Sequence, residues 1–397
     1  MDAHLQGTTP IAANTRRAAR RVFALVLGPA LIATILGAVL LWPAGPVPTI
    51  PMPPGGVVTL VATVTDPTPA DPLQPEVAAR GDDGPITVMV PPEYLPELHA
   101  GDRIRVVQVP DVTPGASAYV FQDFVRGPPM GLLAAVFVVL VVVVARWRGL
   151  ASLLGLGIGL AVVWWFTLPA LLVGRPAMWV GLVSAAGIMF ATLYLAHGFT
   201  LRTSTALVGT LVGLAATAAL AAWASGAAHL TGLSDEYALD LRSYAPAMQL
   251  RSVLLAGTLL AGLGVLNDTT ITQASAVWEL HAAFPGASRR RLFSQGMRIG
   301  RDHIASTIYT IAFAYVGATL PLVLLVSMST GIPLLQAATS GELAEEVART
   351  LVGSIGLVLA IPLTTAIAAL VVTSGRHPTS VSANTNTPAA QAVAGCV

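Results

Sequence analysis

Apolar residues run along this chain in long uninterrupted blocks separated by short polar stretches. The first block, Val22–Leu41, follows Arg16, Arg17, Arg20 and Arg21 and leads into Trp42-Pro43. A block of about 20 residues crosses a bilayer, whereas a cleaved signal peptide has an apolar core of about 7–15 residues and a small-residue cleavage site. The block therefore reads as a retained anchor over 22–42. Further blocks cover about 129–145, 149–173, 177–197, 204–227, 250–273, 304–327 and 351–373, each near the length of one crossing. The last contains Pro362, followed by Thr364 and Thr365, whose hydroxyls can re-satisfy a kinked backbone. The predicted fold class is an all-α polytopic membrane bundle of about eight transmembrane helices, with a seven-helix part over 129–375.

Residues 43–128 have a different pattern. Short β-rich runs, Val57–Val64, Ile86–Val90, Ile104–Val109 and Ala118–Phe121, alternate with the turn signals Pro53-Pro54-Gly55-Gly56, Gly81-Asp82-Asp83-Gly84, Ala100-Gly101-Asp102 and Pro114-Gly115. Strands of this length between such turns predict a small β-barrel or sandwich, the β-rich domain of the chain. Near the other end, Thr339-Ser340-Gly341-Glu342 spans a capping-box pattern before Leu343–Val347, which predicts a short surface helix leading into the last span. The tail from 376 to 397 is rich in Ser, Thr, Asn and Pro and is expected to be disordered.

Composition agrees with the blocks: 54% of the 397 residues are apolar and 10% charged, against about 25% charged in soluble domains. A net charge of +1 gives no global attraction for nucleic acid, so none is expected as a partner. All 21 basic residues are arginine. Without lysine there is no Walker A phosphate loop and no Schiff-base chemistry. The single cysteine, Cys396, cannot form an intrachain disulfide, so the β-rich domain must hold by packing.

The arginines also orient the chain. With residues 1–21 inside, thirteen arginines fall in cytoplasmic segments, and only Arg175, Arg242, Arg251 and Arg349 fall in short outside loops. Both termini are therefore expected in the cytoplasm of a bacterial plasma (inner) membrane, with 43–128 extracytoplasmic.

The stretch Gly262–Glu279 carries the candidate chemistry. An apolar run, Val253–Leu266, turns polar at Asn267 and Asp268. At about 100° per residue, Asp268, Thr272, Ser275 and Glu279 fall on one helical stripe. The next element repeats the pattern. Arg298, Asp302, Ser306 and Tyr309 share a face, His303, Thr307 and Thr310 share the neighbouring one, and the basic loop Arg289-Arg290-Arg291 lies between the two elements. Antiparallel packing would hold Asp268 or Glu279 against Arg298 or Arg301. Counted from Arg251, Asp268 lies about 26 Å along its helix, near the inner edge of a core about 30 Å thick. Two placements stay open: interfacial caps on a cytoplasmic helix extension, or a helix broken near Gly262–Gly264 with Asn267 and Asp268 lining a pocket.

The sequence Gly262–Leu280 (GLGVLNDTTITQASAVWEL), Met297–Thr310 (MRIGRDHIASTIYT) and the loop Leu230–Leu239 (LTGLSDEYAL) resemble the YibE/F-like membrane proteins in their actinobacterial form. So does the layout of anchor, β-rich domain and further spans. The resemblance covers about residues 20–375 and implies that topology, without supplying an activity.

No H-E-x-x-H, no G-x-S-x-G and no Gly-x-Gly-Asp spacing is present, so neither an enzyme nor a metal or other cofactor is expected. The leading expectation is a permease-like protein in the lipid bilayer acting on an unknown small solute. Asp268 would be its proton- or cation-responsive group, Thr272, Gln273, Ser275 and Glu279 would line the path, and Arg298 and Asp302 would be their partners. The competing expectation is an envelope assembly or signalling component whose outside domain binds an envelope protein. Oligomeric state is left open.

Overall fold

The computed structural model describes residues 13–50, 58–69, 75–109, 118–233, 236–328, 331 and 333–374. The turns Pro53–Gly56 and Pro114-Gly115, the tail 376–397 and Cys396 lie outside them. The chain divides into two compact units, Val47–Leu154 and Met1–Pro46 with Gly155–Val397, and each is taken by itself.

Among the described residues the first unit holds five strands: β1 (Val58–Asp66), β2 (Glu76–Gly81), β3 (Gly84–Met89), β4 (Arg103–Gln108) and β5 (Tyr119–Phe124). They close into a barrel in the order β1-β2-β3-β5-β4, with β4 returning to β1. All pairings are antiparallel except β3 with β5. That order, with its one parallel pair, is the topology of a small OB-type barrel. The sequence pattern left a barrel or a sandwich open, where the strands close into a barrel, and it did not mark β2. Its segment, EVAARG, is poor in β-branched and aromatic residues, yet it alternates, with Val77 and Ala79 inward and Ala78 and Arg80 outward. Gly81 pairs with Gly84 across Asp82-Asp83, the two-residue hairpin that a strand on each side requires.

Inward positions of every strand, among them Val64, Val77, Val88, Ile104, Val106 and Phe121, form one core. A 3-10 helix, Pro92–Glu97, brings Tyr94 to Phe121 at a ring-centroid distance of 5.1 Å. Asp123 accepts from the Phe124 amide at 2.8 Å and from the Arg126 guanidinium. The amide bond first, and then Arg126, hold its carboxyl below the usual 3.8.

The helices are α1 (Ala13–Leu40), α2 (Gly127–Val162), a π-helical turn Val163–Thr167, α3 (Leu168–Leu172), α4 (Ala177–His197), α5 (Leu201–Ala227), α6 (Glu236–Tyr244), α7 (Leu250–Ala283), α8 (Arg289–Ala318), α9 (Leu320–Met328), α10 (Leu334–Ala338) and α11 (Gly341–Thr373). Among the described residues, six helical stretches are long and apolar enough to cross a membrane, or seven if the pair α8–α9 is one bent span. The expected eight differs because Gly127–Leu172 is a single stretch of 46 residues. The expected break at 146–148 is reduced to one non-helical residue, Arg146, with φ 54° and ψ −132°.

Elsewhere the apolar blocks meet their helices closely, and the polar parts do not. α4 occupies the expected 177–197. α5 starts at a Thr200 cap whose hydroxyl accepts from the Thr203 amide at 3.1 Å. α7 continues unbroken through Gly262–Gly264 and runs ten residues past the expected end. The expected basic loop is the first turn of α8, capped by Ser288, which accepts from the Arg291 amide at 3.3 Å. The expected span 304–327 is bent by 71° between α8 and α9, where Pro321 in the first turn of α9 removes a backbone donor. The expected short helix after Ser340 is the beginning of α11, and the Ser340 hydroxyl donates backwards to the Ala337 carbonyl instead of capping.

The core of this second unit lies among α4, α5, α7 and α11, where Leu193, Leu207, Leu214, Leu259, Leu266 and Ala360 are almost fully buried. α8 lies at its edge: only Leu292, Gly296, Gly300 and Ile311 of its 30 residues are buried.

Candidate functional site

Helix α7 carries polar side chains on two opposite faces, and the structure gives them different surroundings. The inner face holds Thr269, Thr270 and Gln273, all fully buried. Gln273 Nε2 donates to the Gly296 carbonyl of α8 at 2.8 Å and to Thr365 Oγ1 of α11 at 2.7 Å. The Thr365 hydroxyl in turn donates to the Ile361 carbonyl at 2.7 Å. Thr270 Oγ1 lies 2.6 Å from Thr210 Oγ1 of α5. One amide and three hydroxyls thus tie α5, α7, α8 and α11 together.

Glycines make this approach possible. A Cβ on Gly300 would come within 2.7 Å of Ile361 Cγ2 and 3.2 Å of Gln273 Nε2, and one on Gly296 within 2.9 Å of Thr365 Cγ2. A Cβ on Gly209 would overlap Thr364 Oγ1. Gly296–Gly300 and Gly209–Gly213 are both Gly-x-x-x-Gly pairs, the small-residue spacing that lets membrane helices meet closely. That spacing was the readable signal for the inner face, and the polar-stripe reading passed over it.

The outer face of α7 holds the expected stripe. Asp268, Thr272 and Glu279 are exposed, and Ser275 is half-buried with its hydroxyl donating to the Ile271 carbonyl at 2.7 Å. Arg298, Arg301 and Asp302 of α8 are exposed as well. No ion pair joins Asp268 or Glu279 to Arg298 or Arg301 among the described residues, so the expected pairing is corrected. Gln273, expected to line the path with the stripe, instead faces inward, about 140° around the helix from Asp268 at about 100° per residue. The reason is packing: α7 turns Thr269, Thr270, Gln273 and Val277 towards its neighbours, which rotates Asp268 to the far side. Asn267 lies between the faces, half-buried, and its Oδ1 is buried without a hydrogen-bond partner.

Contacts between helices fix how deep this polar band lies in the bundle. A Cβ on Gly213 would meet Leu266 Cδ2 and Ala360 Cβ, each at 3.0 Å, so these three residues are level. Gly213 is near the middle of the 27-residue α5, about 18 Å from Leu201 at about 1.5 Å per residue. Ala360 is about 20 Å from the Thr373 end of α11 by the same rise. Asp268 lies two residues beyond Leu266. On α8, His303 Nε2 is 3.5 Å from Thr269 Oγ1, which brings Asp302 to the same level. The sequence count from Arg251 had put Asp268 near one edge.

Residues 133–374, more than half of the chain, match the YibE/F-like protein family. The chain belongs to the YibE/F-like family. Searches of curated proteins and of solved structures found no match.

Two further features of this YibE/F-like protein bear on the site. Glu345, which the sequence reading placed on a surface helix, is buried and accepts from the Gly232 amide at 2.8 Å. It joins α11 to the loop before α6, near the end of α5 where Arg251 Nε donates to Ser225 Oγ at 2.8 Å. Separately, α1, the end of α2, α4 and the π-helical turn line an open groove of about 890 Å³, with Leu31, Ile35, Phe166 and Phe190 in its walls. Its walls are almost wholly apolar and it does not include Asp268. Among the described residues no group of three or more His, Cys, Asp and Glu side chains could hold a metal ion.

Proposed function

We propose that this YibE/F-like protein is a permease rather than an enzyme, with Asp268 as the group that responds to a proton or cation. The observation that carries this reading is depth. Asp268 lies two residues past Leu266, which is level with Gly213 and Ala360 in the middle thirds of α5 and α11, and Asp302 adjoins His303, whose Nε2 is 3.5 Å from Thr269 Oγ1. An aspartate at the centre of a bilayer costs about 2.5–3.5 kcal/mol on insertion scales, and ionisable groups placed there usually mark a path for ions or solutes. Thr272 and Glu279 on α7, with Arg298 on α8, continue the band towards the α7–α8 connection.

In the proposed topology, Gly127–Leu172 makes two passes that meet at Arg146, since 46 residues span about 69 Å, more than twice an apolar core of about 30 Å. Eight passes result, with both termini in the cytoplasm of the bacterial plasma membrane and the barrel outside. The closed barrel, with its own core, supports a second reading in which that domain binds an envelope partner.

The test compares intracellular solutes and metals by mass spectrometry in a deletion strain and in the same strain carrying wild type, Asp268→Asn or a deletion of residues 45–127. A solute that shifts on deletion, returns with wild type and fails to return with Asp268→Asn at matched abundance supports the permease. Return with Asp268→Asn but not with the barrel deletion supports the partner-binding reading.

A further inference from the structure

We propose that the exposed face of α7 and α8 is covered by the same face of a second copy of this chain. The inference rests on the mid-depth placement that also carries the proposed function, but it does not require transport.

Helix α8 packs on α7 and α11 by one narrow side, lined by Gly296 and Gly300. Its opposite side exposes Arg298, Arg301, Asp302 and Ser306, beside Asp268 and Thr272 of α7. Lipid chains offer these groups neither hydrogen bonds nor counter-charge, so a face of this kind at mid-depth needs a polar cover.

The face itself suggests which cover. It carries both signs, with Arg298 and Arg301 against Asp268 and Asp302, as a two-fold interface requires when one patch must complement itself. A two-fold axis along the membrane normal sets residues of equal depth against each other. Arg301, Asp302 and Asp268 lie within about one helical turn of depth, about 5 Å, so each arginine can meet an aspartate of the other copy. Tyr309 and Phe313, 64% and 73% exposed, extend the same side of α8 and supply apolar area next to the charges. A single anionic lipid would complement the arginines but would leave both aspartates uncovered.

The test uses the lone native cysteine to advantage. In full-length protein with Cys396→Ser, a cysteine is placed at Ser306 on the proposed interface, or at Val212 on α5 or Leu359 on α11 as exposed controls. Oxidation in native membranes should give at least tenfold more disulfide-linked dimer for Ser306→Cys than for either control. In parallel, Arg301→Asp and Asp302→Arg should each reduce the dimer fraction in native mass spectrometry, and the double exchange should restore it. Equal cross-linking at the three positions in folded protein overturns the proposal, as does a single-chain mass carrying only bound lipid. Its failure is separable from that of the permease reading. A dimer that persists without any solute phenotype leaves the interface standing, and an Asp268-dependent phenotype in an uncross-linkable monomer leaves the permease standing.

Discussion

The two faces of α7 carry similar chemistry and meet opposite surroundings. On one, Gln273 and Thr270 are buried, and each has a partner on a neighbouring helix. On the other, at nearly the same level of the bundle, Asp268 and Thr272 stand exposed, and Asp268 has no ion pair among the described residues. The neutral groups form a lock whose bonds are complete within one copy. The charged groups form a band that nothing among the described residues completes. Polar side chains in a membrane helix therefore divide by whether their bonds close locally, and only those left open point outward to a solute path or a partner.

The largest effect that would break this comparison comes from the lock. Gly300→Leu should remove the protein from membranes, because a side chain there must displace Ile361 and Gln273. Overpacking of this kind costs about 1–3 kcal/mol or more, and quantitative immunoblotting of membranes reads the loss. Next comes Gln273→Leu, which deletes two interhelical bonds that average about 0.6 kcal/mol each in membrane helices. Thermal midpoint in detergent should fall by a few degrees, with Thr365→Ala adding less than its own effect because the two share a bond. Asp268→Asn should sharpen the comparison by changing little: abundance and midpoint stay within error while any solute phenotype is lost. A large drop in abundance would mean that Asp268 belongs to the lock.

The smallest effect lies outside both faces. The depressed carboxyl of Asp123 contributes stability that is present above its unfolded value near 3.9. That stability is lost as pH falls through the folded value. Hydrogen exchange of β5 in the wild type should therefore quicken at acid pH by more than in Asp123→Asn.

Much of this arrangement could be read from the chain. α4 was visible to the residue, since an apolar block between Pro176 and Gly198 has only one helical solution. The barrel was visible from its turns, although β2 was hidden by its alanines. Hydropathy stopped ten residues short of the end of α7 and missed the first half of α8, because a polar helix that is largely exposed looks like loop to an apolar count. Periodicity found the Asp268 stripe and the family match covers it, but a helical angle does not say which side a neighbour will cover. That choice came from Gly296 and Gly300 on α8 and from Thr210 and Thr365 on α5 and α11, residues distant in sequence whose fit appears only on packing.

The central claim is that the level of Gly213, Leu266 and Ala360 is the middle of the bilayer, and a depth measurement tests it most directly. Leu359 is exposed and adjoins Ala360, so a fluorophore on Leu359→Cys, in the Cys396→Ser background, samples that level without touching the polar band. In vesicles containing lipids with nitroxides at defined positions, the account predicts strongest quenching from nitroxides deep in the acyl chains. Strongest quenching from headgroup nitroxides would contradict it, and would place Asp268, Asp302 and the whole band at a water interface.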